Sequence, residues 1–205
     1  QVPNSEIFAR DNIASNVEGA VTEILAQVAA RGDEALREYT LRFDKAELTE
    51  LEVTEAEIDE AFAAVEPEFV EILRQAAANI RAFHEKQRRN SFVVADQPGV
   101  VLGQKIVPIQ KVGLYVPGGT AAYPSTVLMD SIPAKIAGCP QLVMVTPPGA
   151  DGKVNPVILA AAKIAGVDRI FKVGGAQAVA GLAYGTETLP KVDKIVGPGN
   201  AYVAE

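Results

Sequence analysis

The sequence has a single cysteine (Cys139), a single histidine (His84) and no tryptophan in 205 residues, and the first two shortages each close off a chemistry. A lone cysteine excludes an internal disulfide framework, and one His with one Cys and no short-spaced ligand pair cannot supply the usual tetrahedral zinc set. Long apolar runs are also missing. No stretch approaches the roughly 18 continuous apolar residues of a membrane span, and the opening Gln1-Val2-Pro3-Asn4 has neither the basic nor the apolar region of a secretory signal. A soluble protein of the reducing cytoplasm, without a membrane partner, is expected, and the absence of an initiating Met adds the expectation of a trimmed or partial chain. Basic residues are outnumbered, 19 against 26 acidic ones, and the imbalance lies in residues 1–100, whose net charge is −10. That acidic half excludes nucleic acid as an expected partner. The net +3 of residues 101–205 is too weak to specify an anionic ligand.

What is present reads as two halves. From Asn16 to Arg89 the chain is poor in Gly and Pro and rich in Ala, Glu and Leu, with apolar residues at helical spacing. Val17, Val21, Ile24, Leu25 and Val28 form one stripe that should end at Arg31-Gly32, where Gly suits the left-handed terminal position. Asp33 is expected to cap a second helix carrying Leu36, Tyr39, Leu41 and Phe43. A third starts at Thr54, which stands three residues before Glu57 in capping-box spacing, and a fourth runs from about Pro67 to Gln87. The carboxylates of this half read as a solvated helix face. His84, beside Glu85, Lys86, Arg88 and Arg89, reads as a solvent-side residue at the negative end of its helix, with no local nucleophile or metal partner.

The pattern changes at Pro98-Gly99. Strands are expected at Val100–Leu102, Gln104–Ile109, Lys111–Val116, Gln141–Val145, Arg169–Val173 and Lys194–Val196. Helices are expected at Ser125 to about Gly138, at Pro156–Ala165 and from Ala176. Repeated β-α-β alternation predicts an α/β fold: a helical N-terminal segment over 1–98, and a Rossmann-like, mostly parallel sheet with helices on both faces over 99–205. Residues 91–110 are ambiguous between an edge hairpin and a linker.

Each of the later strands runs into a glycine-rich loop: Val116-Pro117-Gly118-Gly119, Thr146-Pro147-Pro148-Gly149, Val173-Gly174-Gly175-Ala176-Gln177 and Gly197-Pro198-Gly199-Asn200. In a parallel sheet all four lie on one edge, where glycine lets backbone approach a ligand and helix N-termini suit a phosphate. Any one such loop could be simple punctuation; four on one edge point to a site. None is a G-x-G-x-x-G fingerprint or a phosphate loop of the G-x-x-x-x-G-K-[ST] type, so the pattern locates an edge without naming its ligand.

The run from Val112 to Met129, followed by Pro133-Ala134-Lys135-Ile136-Ala137-Gly138-Cys139, closely resembles the histidinol dehydrogenase family. So do Val173-Gly174-Gly175-Ala176-Gln177-Ala178 with Ala183-Tyr184-Gly185-Thr186-Glu187, and Lys191 to Asn200; Ala29 to Leu36 looks like the family's early helix pair. The resemblance implies oxidation of L-histidinol to L-histidine through an aldehyde-level intermediate, with two NAD reduced in succession, by a zinc-dependent homodimer. It implies NAD contacts at Tyr115, Gln177 and Asn200. The family's Glu-His pair for proton transfer and its zinc ligands fall beyond the Gly-Pro-Gly-Asn segment, so no catalytic or metal residue is expected in this chain. Asn200 reads as a helix cap with barely one turn after it, and the 99–205 unit is therefore expected to be incomplete, the chain inactive alone and weak in NAD affinity. Two other readings stand beside this one: a sister zinc- and NAD-dependent alcohol dehydrogenase with another polar substrate, and a catalytically inactive nucleotide-binding module.

Overall fold

Continuous apolar runs along the central strands point side chains to both faces of a sheet and need cover on each, and the chain supplies it from both of its halves. The computed structural model describes residues 17–118 and 122–205. Four helices come first: α1 (Glu18–Arg31), α2 (Asp33–Asp44), α3 (Glu55–Ala64) and α4 (Pro67–His84), the last ending in a 3₁₀ turn at Glu85–Gln87. Strands β1 (Phe92–Gln97) and β2 (Val100–Gln104) follow. The remainder alternates as β3 (Lys111–Tyr115), α5 (Pro124–Ala137), β4 (Gln141–Thr146), α6 (Pro156–Ala165), β5 (Arg169–Lys172), α7 (Gly175–Tyr184), β6 (Lys194–Val196) and the short α8 (Ala201–Ala204).

Strands β3 to β6 form one wholly parallel sheet in the order β5-β4-β3-β6. From β3 the chain steps outward through β4 to β5, then returns to place β6 on the other side of β3. The reversal puts a topological switch point at the C-terminal ends of β3 and β6, where ligands of open α/β sheets bind. On one face Leu114, Leu142, Met144 and Ile170 pack under α5 and α6, with α3 and α4 as a further layer outside them. On the other, Val143, Val145, Phe171 and Val173 pack against α7, α1 and α2. Leu51–Val53 lies along the free side of β5, where Lys172 N–H donates to Leu51 O at 2.7 Å and Val53 N–H to Ile170 O at 2.8 Å, so that edge is covered.

Several expectations are corrected. Residues 91–110 contain a hairpin, but β1 and β2 pair only with each other and stay exposed along their whole length. The turn of that hairpin is Pro98-Gly99 itself. The strand expected at Gln104–Ile109 is absent beyond Gln104, in a stretch where Pro108 offers no N–H to a ladder. Leu41 and Phe43 are about half exposed, whereas Leu36 and Tyr39 are buried; Leu41 lies off the stripe at 100° per residue, and Phe43 stacks on Tyr39 at 5.7 Å. Asp33 does not cap α2. It is the first helical residue, and its buried carboxylate accepts hydrogen bonds from Thr186 Oγ1 at 2.5 Å and Thr188 N–H at 3.3 Å, tying α2 to the loop after α7. Thr54 and Glu57 do form the capping box. The helical start expected at Asn16 lies outside the described residues, as do Gly119, Thr120 and Ala121.

Helix α2 ends on Lys45, the one non-glycine with positive φ (+62°) among the described residues. A left-handed conformation costs a residue with a Cβ roughly 1–2 kcal/mol. Replacing Lys45 with Gly is therefore expected to raise stability by about 0.5–1 kcal/mol after the freedom gained by the unfolded chain is subtracted, read as a higher urea midpoint at unchanged slope.

Candidate functional site

The four strand-end loops converge because their backbones pack closely. An ideal Cβ on Gly197, whose φ is +142°, would stand 2.1 Å from Tyr115 O, so the loop after β6 rests directly on the end of β3. A Cβ on Gly174 would meet the Pro147 ring at 2.7 Å, which locks the loop after β5 onto the loop after β4. Between them Gly175 N–H donates to the Tyr115 hydroxyl at 3.1 Å, joining the start of α7 to β3.

These loops and the ends of α1 and α2 enclose a cleft of 1180 Å³ at the switch point, and Tyr115, Gln177 and Asn200 all line it. Tyr115 is 6% exposed, and its phenol is already engaged by Gly175. Burial pushes that phenol's pKa up, the Gly175 N–H offsets part of the rise and the negative charge of Asp44 adds to it. Gln177 is 1% exposed, and its amide lies over Gly175. An amide at the cleft that offers both a donor and an acceptor suits a polar ligand. Asn200 is exposed and caps α8: its Oδ1 accepts from Tyr202 N–H at 3.1 Å and Val203 N–H at 3.3 Å, so the cap engages the oxygen and not the NH₂.

Sequence reasoning missed the contribution of α2. Phe43 and Asp44 both line the cleft, as does Tyr123 ahead of α5. Phe43 stacks on Tyr39 and is half exposed, which makes it part of the cleft wall. Asp44, Pro117, Gly118 and Pro147 also line a second hollow of 500 Å³, so the two spaces meet across that ridge. Burial raises the Asp44 carboxyl to about 6, and its Oδ2 is buried without a hydrogen-bond partner among the described residues. Asp130 is likewise raised to about 6 by burial, but it lines neither hollow.

His84 is half-buried at the end of α4, with Nδ1 2.7 Å from Gln87 Oε1, and lines neither space. Among the described residues no group of three or more His, Cys, Asp or Glu is placed to hold a metal ion, and no helix is long and apolar enough to cross a membrane.

A family model described as histidinol dehydrogenase matches residues 9–205. The histidinol dehydrogenase of Lactiplantibacillus plantarum is 56% identical over 188 residues, covering 92% of this chain and 44% of that one. The protein of the same name from Geobacillus kaustophilus is 57% identical over 185 residues, covering 90% and 44%. A crystal structure of histidinol dehydrogenase from Elizabethkingia anophelis superposes with a TM-score of 0.92 at 40% identity, over 99% of this chain and 48% of that one. The chain thus spans about half the length of the curated relatives it matches.

Proposed function

The chain belongs to the histidinol dehydrogenase family, of which it forms an N-terminal portion, and on that premise we propose that it is the cofactor side of an enzyme oxidising L-histidinol to L-histidine with two NAD. The observation that carries the reading is the convergence of Tyr115, Gln177 and Asn200 in one cleft at the switch point of the sheet. NAD supplies the hydride acceptor when bound. Gln177 and Asn200, which both line the cleft, offer amide groups to it. Tyr115, held by Gly175 N–H, fixes the floor of the cleft, while Ile24, Tyr39 and Phe43 give one wall an apolar surface that excludes water.

Zinc enters the proposal only through the family. Among the described residues no group of three or more His, Cys, Asp or Glu is placed to hold it. A homodimer, a cytoplasmic location and the division into a helical segment (1–98) and an incomplete Rossmann-like unit (99–205) belong to the same proposal. The names of the relatives do not favour a sister alcohol dehydrogenase or an inactive nucleotide-binding module.

Replacing Gln177 with Leu keeps the side chain's approximate volume and removes both polar atoms. One lost hydrogen bond to the cofactor is worth about 1–1.5 kcal/mol, so NAD should bind roughly tenfold more weakly in calorimetric titration with the melting temperature little changed. Unaltered NAD affinity in both Gln177→Leu and Asn200→Ala would remove the cleft from consideration.

A further inference from the structure

Asp44 is the last residue of α2, so its carboxylate lies against the negative end of the helix dipole. Its Oδ2 is buried, accepts no hydrogen bond and is joined to no cation among the described residues. The basic residues nearest in sequence are engaged elsewhere: Lys45 Nζ donates to Arg42 O at 2.7 Å, and the Arg42 guanidinium lies over the Phe43 ring, 5.3 Å from its centroid. A half-buried acid without a partner at a helix C-terminus is unfavourable for the fold, and burial accordingly raises its pKa to about 6. At neutral pH most of it is still ionised, on a residue that lines the cleft.

We propose that Asp44 sets the choice of dinucleotide, by accepting hydrogen bonds from ribose hydroxyls in the cleft and repelling a 2′-phosphate, so that NAD is admitted and NADP refused. The inference rests on the reading of the cleft as the NAD site. The chemistry narrows quickly. A carboxylate binds only donors, and in a dinucleotide the donors are the ribose hydroxyls and the amide and amino groups, whereas the pyrophosphate would be repelled. Asp44 occupies the ridge shared by the two hollows, beside Pro117, Gly118 and Pro147, and it stands close enough to Tyr115 for its charge to raise the phenol's pKa. A sugar lying over that ridge would bring its vicinal hydroxyls to the Asp44 carboxylate, which lines both hollows. The sheet lacks the glycine fingerprint after which a dinucleotide site usually carries its ribose-binding acid about 20 residues on. Here the acid comes instead from a helix that precedes the whole α/β unit.

The test is titration of the whole protein with NAD and with NADP, for wild type, Asp44→Asn and Asp44→Ser, with melting temperatures measured alongside. Asp44→Asn keeps the shape and removes the charge from a group whose Oδ2 has no hydrogen-bond partner among the described residues, so folding should be preserved. Wild type should prefer NAD by about 100-fold or more. Both variants should bind NADP at least tenfold more tightly than wild type does and NAD somewhat more weakly, so that the ratio collapses. If wild type binds NAD and the ratio is unchanged in both variants, the role of Asp44 is overturned while the cleft reading survives. If wild type binds neither dinucleotide, both fail together.

Discussion

The 205-residue polypeptide by itself is expected to produce no NADH above background when given L-histidinol, NAD and zinc. The expectation follows from what proton and hydride transfer demand. An alcohol oxidised by hydride loss needs a base at its hydroxyl, and a positioned general acid–base contributes about 10²–10⁴-fold. The single histidine is committed to Gln87 at the end of α4 and lines neither hollow. Glu23 and Asp44 are the carboxylates that line the cleft, and among the described residues neither belongs to a cluster that can hold the metal itself. Loss of a Lewis acid removes several further kcal/mol of transition-state stabilisation. Together these place the rate at least about four orders of magnitude below that of a protein of the relatives' full length, a gap that absorbance at the NADH band resolves easily. Zinc-dependent turnover by the 205 residues alone would show that the acid–base machinery lies within them and would overturn the assignment of the chain to the cofactor side.

How far the sequence disclosed this arrangement depends on the range of the interactions involved. Helix α6 and strand β6 stand where the periodicity puts them, because an apolar Ala-rich run behind Asn155-Pro156 and a Lys-Ile-Val run are decided locally. Asn200 likewise announced its cap, which reaches only two and three residues ahead. Asp33 did not announce its partner, because Thr186 is 153 residues away and only the packing of α1 and α2 beside α7 brings the two together. The cleft shows the same division. That the strand-end loops share an edge was readable from parallel β-α-β alternation, and Tyr115, Gln177 and Asn200 came from the family resemblance. That β6 returns to the far side of β3, bringing the Asn200 loop next to Tyr115, is a fact of strand order which no local pattern contains. Phe43 and Asp44 were unreadable for a related reason: a helix that precedes the sheet by some 70 residues supplies a wall of the site, and its apolar spacing looks the same whether it faces core or cleft.

Replacing Gly197 with Ala is expected to weaken NAD binding by about 100-fold or more and to cost stability on the order of 3 kcal/mol, combining left-handed backbone strain with overpacking. The added methyl would stand 2.1 Å from Tyr115 O, 2.9 Å from its carbonyl carbon and 3.0 Å from its Cβ. Two of those three atoms are backbone at the end of a central strand flanked by β4 and β6, so no rotamer change relieves the clash. The loop after β6 has to move instead. Asn200 lies three residues further on, and a shift of even 1 Å there separates its amide from a ligand held at Gln177 and Tyr115, a misplacement large enough for a loss of this size. The effect on binding should exceed that of Gln177→Leu, which removes one contact and leaves the architecture in place. Urea melts and NAD titrations of the two variants side by side make the comparison. If Gly197→Ala binds NAD as wild type does, the loop after β6 takes no part in holding the cofactor, and the site must be rebuilt around α2 and α7 alone.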